Sequence, residues 1–101
     1  MLDIQHLLQE MVAKKGSDLH IAAGSPPRIR AEGRLTPIKH PVLSPKETEE
    51  AIYKLLSKEE IERFERDWEL ETSIDISGLG KFNASIFRQR GAVGAVFRSV
   101  S

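Results

Sequence analysis

The sequence contains no cysteine and no long hydrophobic run. The absence of cysteine excludes a disulfide framework and any chemistry that needs a thiolate. No apolar segment approaches the roughly 20 residues that a bilayer-spanning helix requires, and the start lacks the basic region of a signal peptide. Basic and acidic side chains are equal in number, at 15 each, so bulk attraction to nucleic acid or acidic membranes is not indicated. We therefore expect a soluble, cytoplasmic protein.

Chain length and motif content restrict the function further. A chain of 101 residues fits one domain, and at this size folding buries roughly 60–70% of the unfolded surface. The phosphate-binding pattern G-x-x-x-x-G-K-[ST] occurs nowhere in the sequence. The Gly-Leu-Gly at 78–80 precedes a strand pattern instead of a helix, so it predicts a turn. We expect that this chain alone is not an enzyme.

The histidines form no recognisable metal-binding pattern. Asp18 and His20 lie two positions apart on one predicted strand, and a metal site there would need a third ligand from His6 or His40. Hydrogen-bonded structural roles are commoner for such residues. No metal site is predicted.

The first third of the chain predicts a helix followed by three strands. Asp3 can cap the helix, Gly16 is placed to end it in a left-handed conformation, and its apolar face has helical spacing: Ile4, Leu7, Leu8, Met11 and Val12. Residues 17–21 alternate between polar and apolar, as in a half-buried strand. Residues 28–31 and 34–38 predict a hairpin in which Gly33 supplies a positive φ.

The middle of the chain predicts two helices in direct succession. Ser44 with Glu47, and Ser57 with Glu60, both have the spacing of a capping box. The expected apolar residues are Ala51, Ile52, Leu55 and Leu56 in the first helix and Ile61, Phe64 and Trp68 in the second. On the solvated faces, we expect i,i+4 ion pairs between Glu59 and Arg63 and between Glu62 and Arg66.

From Leu70 onward the apolar residues recur at every second position, which predicts strands. Ile74 and Ile76 share one face of the first strand. The next strand has Phe82, Ala84 and Ile86 on one face, and a last strand at 92–100 follows the turn at Gly91. The order α-β-β-β-α-α-β-β-β predicts an α+β fold, an antiparallel sheet with helices packed on one face.

Three arginines in these last strands are candidate phosphate ligands. Arg88 and Arg90 keep the parity of Phe82, so we expect them to project past the edge of the core on its side of the sheet. Arg98 shares a face with Val96. A guanidinium matches a phosphate with a two-pronged contact and stays charged at any working pH. An arginine held on a rigid strand can also stabilise charge on a transferring phosphoryl group.

Several segments together resemble a known family: residues 16–21, 26–30, 32–33, 89–92 and 95–98. They look like the N-terminal domain of the type IV pilus retraction ATPases of the PilT family. This family belongs to the secretion ATPase superfamily, which also includes pilus-extension and type II secretion motors. The resemblance covers essentially the whole chain, in order.

The resemblance implies that residues 1–101 are a single PAS-like N-terminal domain. It implies a RecA-like ATPase domain, absent from this chain, that binds ATP and magnesium in the complete protein. It also implies a homohexamer in which each N-terminal domain contacts the ATPase domains of its own and a neighbouring subunit. A platform protein of the pilus machine at the inner membrane is the expected partner, with no nucleic acid and no direct membrane insertion. The implied role is nucleotide gating at a subunit interface.

In that family the N-terminal domain contributes two arginines to the triphosphate, and Arg98 matches the second. The first falls on Asn83, within the Lys-Phe-Asn-Ala-Ser at 81–85, where the family has Arg-Phe-Arg followed by a small residue and asparagine. Because Asn83 has no charge, this substitution weakens the expectation of phosphate sensing by two arginines. Arg88 lies five positions after Asn83, so we expect it on the opposite face of the strand, where it would not replace the missing cation.

Other functions stay open at this point. The chain could be the N-terminal domain of a pilus-extension or type II secretion ATPase, or a stand-alone PAS-type sensor with an internal pocket. It could also bind RNA through Arg28, Arg30 and Arg34, although neutral net charge and the absence of interleaved aromatic residues disfavour this. Arginines at a sheet edge also commonly serve only to keep that edge solvated.

Overall fold

Three helices and six strands form the fold in a computed structural model, which describes residues 2–100. The helices are α1 (Ile4–Ala13), α2 (Pro45–Tyr53) and α3 (Lys58–Asp67). The strands are β1 (Asp18–Ile21), β2 (Arg28–Ala31), β3 (Arg34–Pro37), β4 (Glu69–Ile76), β5 (Gly80–Gln89) and β6 (Ala92–Ser99).

All six strands form one antiparallel sheet in the order β3-β2-β1-β6-β5-β4. The first and last strands of the chain, β1 and β6, are therefore neighbours in the middle of the sheet. The three helices pack against the sheet, and the predicted α+β class is confirmed.

The hydrophobic core lies between the helices and one face of the sheet. Leu8 and Met11 of α1 and Phe64 of α3 are fully buried against strand residues that include Leu19 and Phe97. The alternation predicted for β5 is confirmed, since its buried residues are Phe82, Ala84 and Ile86. Burying one side chain of this kind stabilises the fold by about 1.5–3 kcal/mol, so the packing on this face supplies much of the stability of the sheet.

Both predicted capping boxes are present. The Ser44 hydroxyl accepts a hydrogen bond from the backbone N–H of Glu47 at 3.1 Å, and the Glu47 carboxylate accepts one from the backbone N–H of Ser44 at 2.9 Å. Ser57 and Glu60 repeat both bonds at the same distances. The backbone hydrogen bonds lower the pKa of both carboxyl groups.

The predicted role of Gly16 is wrong. Lys15, not Gly16, has the positive φ of 56° at the end of α1. A Cβ atom at Gly16 would lie 2.8 Å from Cγ2 of Ile29 and 2.9 Å from Cγ of Met11. Glycine is required there because the chain passes close to β2, and not because of its conformational freedom.

The helical middle of the chain differs from expectation in two respects. α2 ends at Tyr53, so Leu55 and Leu56 lie in the turn before α3 and are not part of the apolar face of α2. Both side chains are half-buried there. Within residues 2–100, the structure contains neither of the predicted ion pairs of α3, Glu59–Arg63 and Glu62–Arg66. Arg66 instead lies 3.5 Å from the carboxylate of Asp67. These side chains are exposed, where an ion pair contributes little to stability.

Candidate functional site

The side of the sheet opposite the helices, here called the open face, carries polar side chains across five strands. Residues directly opposite each other in an antiparallel pair point to the same side of the sheet. The register therefore places one continuous row on this face: Arg30 of β2, Asp18 of β1, Arg98 of β6, Asn83 of β5 and Ser73 of β4. The adjacent row contains Arg28, His20, Val96, Ser85 and Glu71.

Arg98 lies in the middle of this face and is held by a carboxylate. Its Nε donates a hydrogen bond to Oδ2 of Asp18 at 3.2 Å. The Asp18 side chain is 14% exposed, whereas the Arg98 side chain is 68% exposed, so the guanidinium stays accessible to a ligand. Burial by itself raises the pKa of Asp18, but hydrogen bonds from Ser17 and Arg98 outweigh it and lower the pKa overall.

Asn83 of β5 is the neighbour of Arg98 on the side away from Asp18. The two residues are directly opposite each other in the β5–β6 pair, and Asn83 also faces Ser73 of β4. The Ser73 hydroxyl lies 3.4 Å from Oδ1 of Asn83. Beside Arg98 the open face forms a depression lined by Ser73, Asn83, Ser85 and Glu71. The two positions that the sequence singled out for phosphate binding are therefore adjacent.

Arg88 lies on the helix side of the sheet, as its parity predicted. Its guanidinium carbon is 4.2 Å from the centroid of the Trp68 ring, a cation–π contact. Trp68 is 41% exposed, so the prediction that it is buried is wrong. It ends α3 with a left-handed φ of 56°, and its ring stacks edge-on against Phe64 at the border of the core. Arg88 therefore covers an aromatic side chain on the face opposite Arg98.

Arg90 does not continue the strand, which corrects the parity expected for it. It has a φ of 53° and Gly91 has a φ of 79°, so the two residues form the turn between β5 and β6. Two successive positive φ angles are typical of the tight turn that joins twisted strands. Arg90 lines a groove at this end of the sheet together with Arg28 and Ser25. The structure thus separates Arg90 from Arg98.

His20 is the feature of the open face that the sequence did not reveal. We predicted a hydrogen-bonded role, but its Nε2 atom is buried without a hydrogen-bond partner in the part of the chain that the structure describes. Burial and the charge of Arg28 lower the pKa of His20, and Arg30 and Arg98 lower it further. The charge of Asp18 acts in the opposite direction and raises the pKa. Three arginines therefore act on one imidazole.

Arg28 and Arg30 were predicted only as a hairpin cluster. Their alternation shows from the sequence that they share a face of β2. Nothing in the sequence shows that this is also the face of Arg98, because that depends on β1 pairing with both β2 and β6. Across residues 2–100, no three His, Asp or Glu side chains are close enough together to hold a metal ion.

Comparison with known proteins identifies the fold and the family. No family model matches the chain. Two curated relatives from Pseudomonas aeruginosa align over 99 residues, 98% of this chain: the type IV pilus ATPase PilU at 36% identity and the type IV pilus retraction ATPase PilT at 34%. The crystal structure of the pilus retraction motor PilT with bound ADP matches all of the chain at 32% identity, with a TM-score of 0.93. The chain corresponds to the N-terminal region of the PilT/PilU-like type IV pilus ATPases.

The match concerns the N-terminal region of this family. The chain spans 26% of PilU and 29% of PilT, and 30% of the PilT crystal structure. The ATPase DotB of Legionella pneumophila matches with a TM-score of 0.81 and that of Yersinia pseudotuberculosis with 0.75, each at 17% identity, which shows a shared fold. None of the helices within residues 2–100 is both long and apolar enough to cross a membrane.

Proposed function

We propose that this PilT/PilU-like region is the nucleotide-gating and subunit-interface domain of a hexameric motor that hydrolyses ATP and retracts pili. A RecA-like ATPase domain of the same protein binds ATP and magnesium, and a neighbouring subunit packs against the N-terminal domain. The observation that carries the proposal is Arg98, an exposed guanidinium on an inner strand whose Nε is held by a mostly buried carboxylate.

The arrangement of the open face suits the recognition of a phosphate. Asp18 holds Nε of Arg98 and leaves the two terminal nitrogens free for a two-pronged contact. β6 is hydrogen-bonded on both edges, to β1 and β5, so the arginine is carried by an inner strand of the sheet. In the ATP state Arg98 contacts the γ-phosphate and closes the N-terminal domain on the ATPase domain. Loss of that phosphate releases the contact, and the domain rotates away.

We assign the motor to the retraction branch because one relative is a retraction ATPase and both relatives are type IV pilus ATPases. A motor of this kind acts at the cytoplasmic side of the inner membrane, where a platform protein of the pilus machine is its partner. The fold likeness to DotB extends to ATPases of a different name, but at 17% identity it does not favour their function over retraction.

The test is the ATPase activity of the full-length protein with Arg98→Ala. If Arg98 stabilises charge on the transferring phosphoryl group, the substitution lowers the turnover rate by roughly 10³-fold. Arg66→Ala removes the same charge from an exposed position on α3, in the opposite layer, and should leave turnover unchanged. Normal turnover of the Arg98→Ala protein would reject the proposed role.

A further inference from the structure

We propose that Arg30 of β2 is a second phosphate-binding residue of the open face, so that the phosphate chain of the nucleotide extends from Arg98 across β1 toward β2. This inference rests on the proposed function and names a residue for the same site. Arg30 and Arg98 lie on the two strands that flank β1, both directly opposite Asp18. With neighbouring strands about 4.8 Å apart, their Cα atoms are about 10 Å apart, a separation that two arginine side chains can close over Asp18.

Local charge gives the direction. Arg98 with Asp18 forms a neutral pair, whereas the phosphate chain of a nucleotide carries several negative charges. On the β5 side of Arg98 the depression offers an amide, hydroxyl groups and the Glu71 carboxylate, but no second cation. Glu71 repels a phosphate placed there. Of the other cations on this face, Lys81 of β5 is directly opposite the Asp75 carboxylate and outside the row of Arg98, whereas Arg30 lies in that row. This favours an extension toward β2.

That side carries cations without carboxylate partners. Within residues 2–100, neither Arg28 nor Arg30 takes part in an ion pair, while Asp18, the carboxylate between Arg30 and Arg98 in their row, is bonded to Arg98. In the sheet register Arg28 is directly opposite His20, and Arg30 and Arg98 are its diagonal neighbours. Burial and the charges of these arginines lower the pKa of His20, although Asp18 opposes the shift. His20 therefore stays neutral near neutral pH and neither compensates nor adds to their charge.

Arg30 is the better candidate of the two arginines on β2. It lies in the same row as Arg98, whereas Arg28 lies in the adjacent row and lines the groove near the β5–β6 turn. Arg30 is half-buried and its strand is paired on both edges, with β1 and with β3, so its position is well defined. A fixed guanidinium loses less freedom on binding than a mobile one.

The experiment compares single substitutions in the full-length protein. Arg30→Ala should raise the Kd for ATP by about ten-fold or more, as expected for loss of a charged hydrogen bond, with a smaller effect on kcat than Arg98→Ala. Arg34→Ala is the matched control, because Arg34 belongs to the same hairpin, pairs with Ala31 and lies on the other side of the sheet. Arg30→Gln keeps most of the side chain, and thermal unfolding of each variant separates lost binding from lost folding.

A conservative substitution tests the charge of Arg30. Arg30→Lys keeps a positive charge at this position, so it should retain part of the ATP affinity that Arg30→Ala and Arg30→Gln lose.

If Arg98→Ala lowers the turnover rate while Arg30→Ala has the same Kd for ATP as Arg34→Ala, this inference is wrong and the proposed function stands. If Arg98→Ala has normal turnover, the proposed function fails and the inference fails with it.

Discussion

At the scale of single residues, Asp18 determines how the arginines of the open face are used. It lies directly opposite Arg98 on one neighbouring strand and Arg30 on the other, and of these two arginines it bonds to Arg98. Its carboxylate is mostly buried, and removing it would leave Arg98 free to turn. One side chain thus orients one cation and leaves the other available to a ligand.

The lowered pKa of His20 predicts a pH dependence of stability. The folded state disfavours the protonated imidazole, whereas the unfolded chain protonates at its ordinary pKa of 6.5. The unfolded state therefore binds more protons as the pH falls through that value, and the free energy of unfolding decreases. His20→Gln should remove part of the decrease, measured by urea unfolding at several pH values between about 8 and 5.5, above the range in which carboxylates titrate. An unchanged slope in the variant would contradict this assignment.

At the scale of elements, the β5–β6 hairpin depends on close packing near its turn. Phe87 and Gly94 are directly opposite each other on the open face. A Cβ atom at Gly94 would lie 2.8 Å from Cε1 of Phe87 and 3.0 Å from the carbonyl oxygen of Ile21. The aromatic ring therefore occupies the space that a side chain at 94 would need.

Gly94→Ala should destabilise the protein by about 1–3 kcal/mol, because an overpacked site forces the ring or the strand to move. Alanine would otherwise suit a strand better than glycine, so the sign of the change tests the contact. The same substitution in a Phe87→Ala background should cost less, because the ring is gone. Chemical denaturation of the four proteins measures both effects. A Gly94→Ala protein as stable as the original would refute the packing argument.

At the scale of the whole molecule, the fold presents two different faces. The helices and the core make one side of the sheet apolar, and the open face carries Arg98 with the polar rows around it. Because β1 and β6 are neighbours, neither of these strands can be removed without opening the middle of the sheet. The fold can therefore present Arg98 on a rigid sheet, while the sequence lacks the G-x-x-x-x-G-K-[ST] pattern of a phosphate-cradling loop.

The chain on its own should therefore not hydrolyse ATP, and its affinity for nucleotide should be weak, since one open face supplies few of the contacts that hold a triphosphate. The test is to measure phosphate release from ATP by a purified protein of residues 1–101 and by the full-length protein at equal concentration. Hydrolysis by residues 1–101 that survives purification and is lost in Arg98→Ala would show that the ATPase site lies in this chain.

Features that depend on neighbours in sequence were predicted well. Both capping boxes join residues three positions apart, and the positive φ of Gly33 belongs to a two-residue turn, so the local sequence contains all the groups involved. Predictions based on a residue's preference alone were weaker. Gly16 is required by the approach of β2, and Trp68 is held at the border of the core by Arg88 and Phe64.

The sequence by itself determined the helices, the strands, their turns and the side of each strand that becomes buried, because periodicity and capping are local properties. It also pointed to Arg98 and Asn83 through a family resemblance. Only the tertiary structure decided that Arg98 lies beside Asp18, 80 positions away, and on the same face as Arg30 and His20. The order of strands in a sheet depends on how the whole core packs, and no short segment of the chain encodes it.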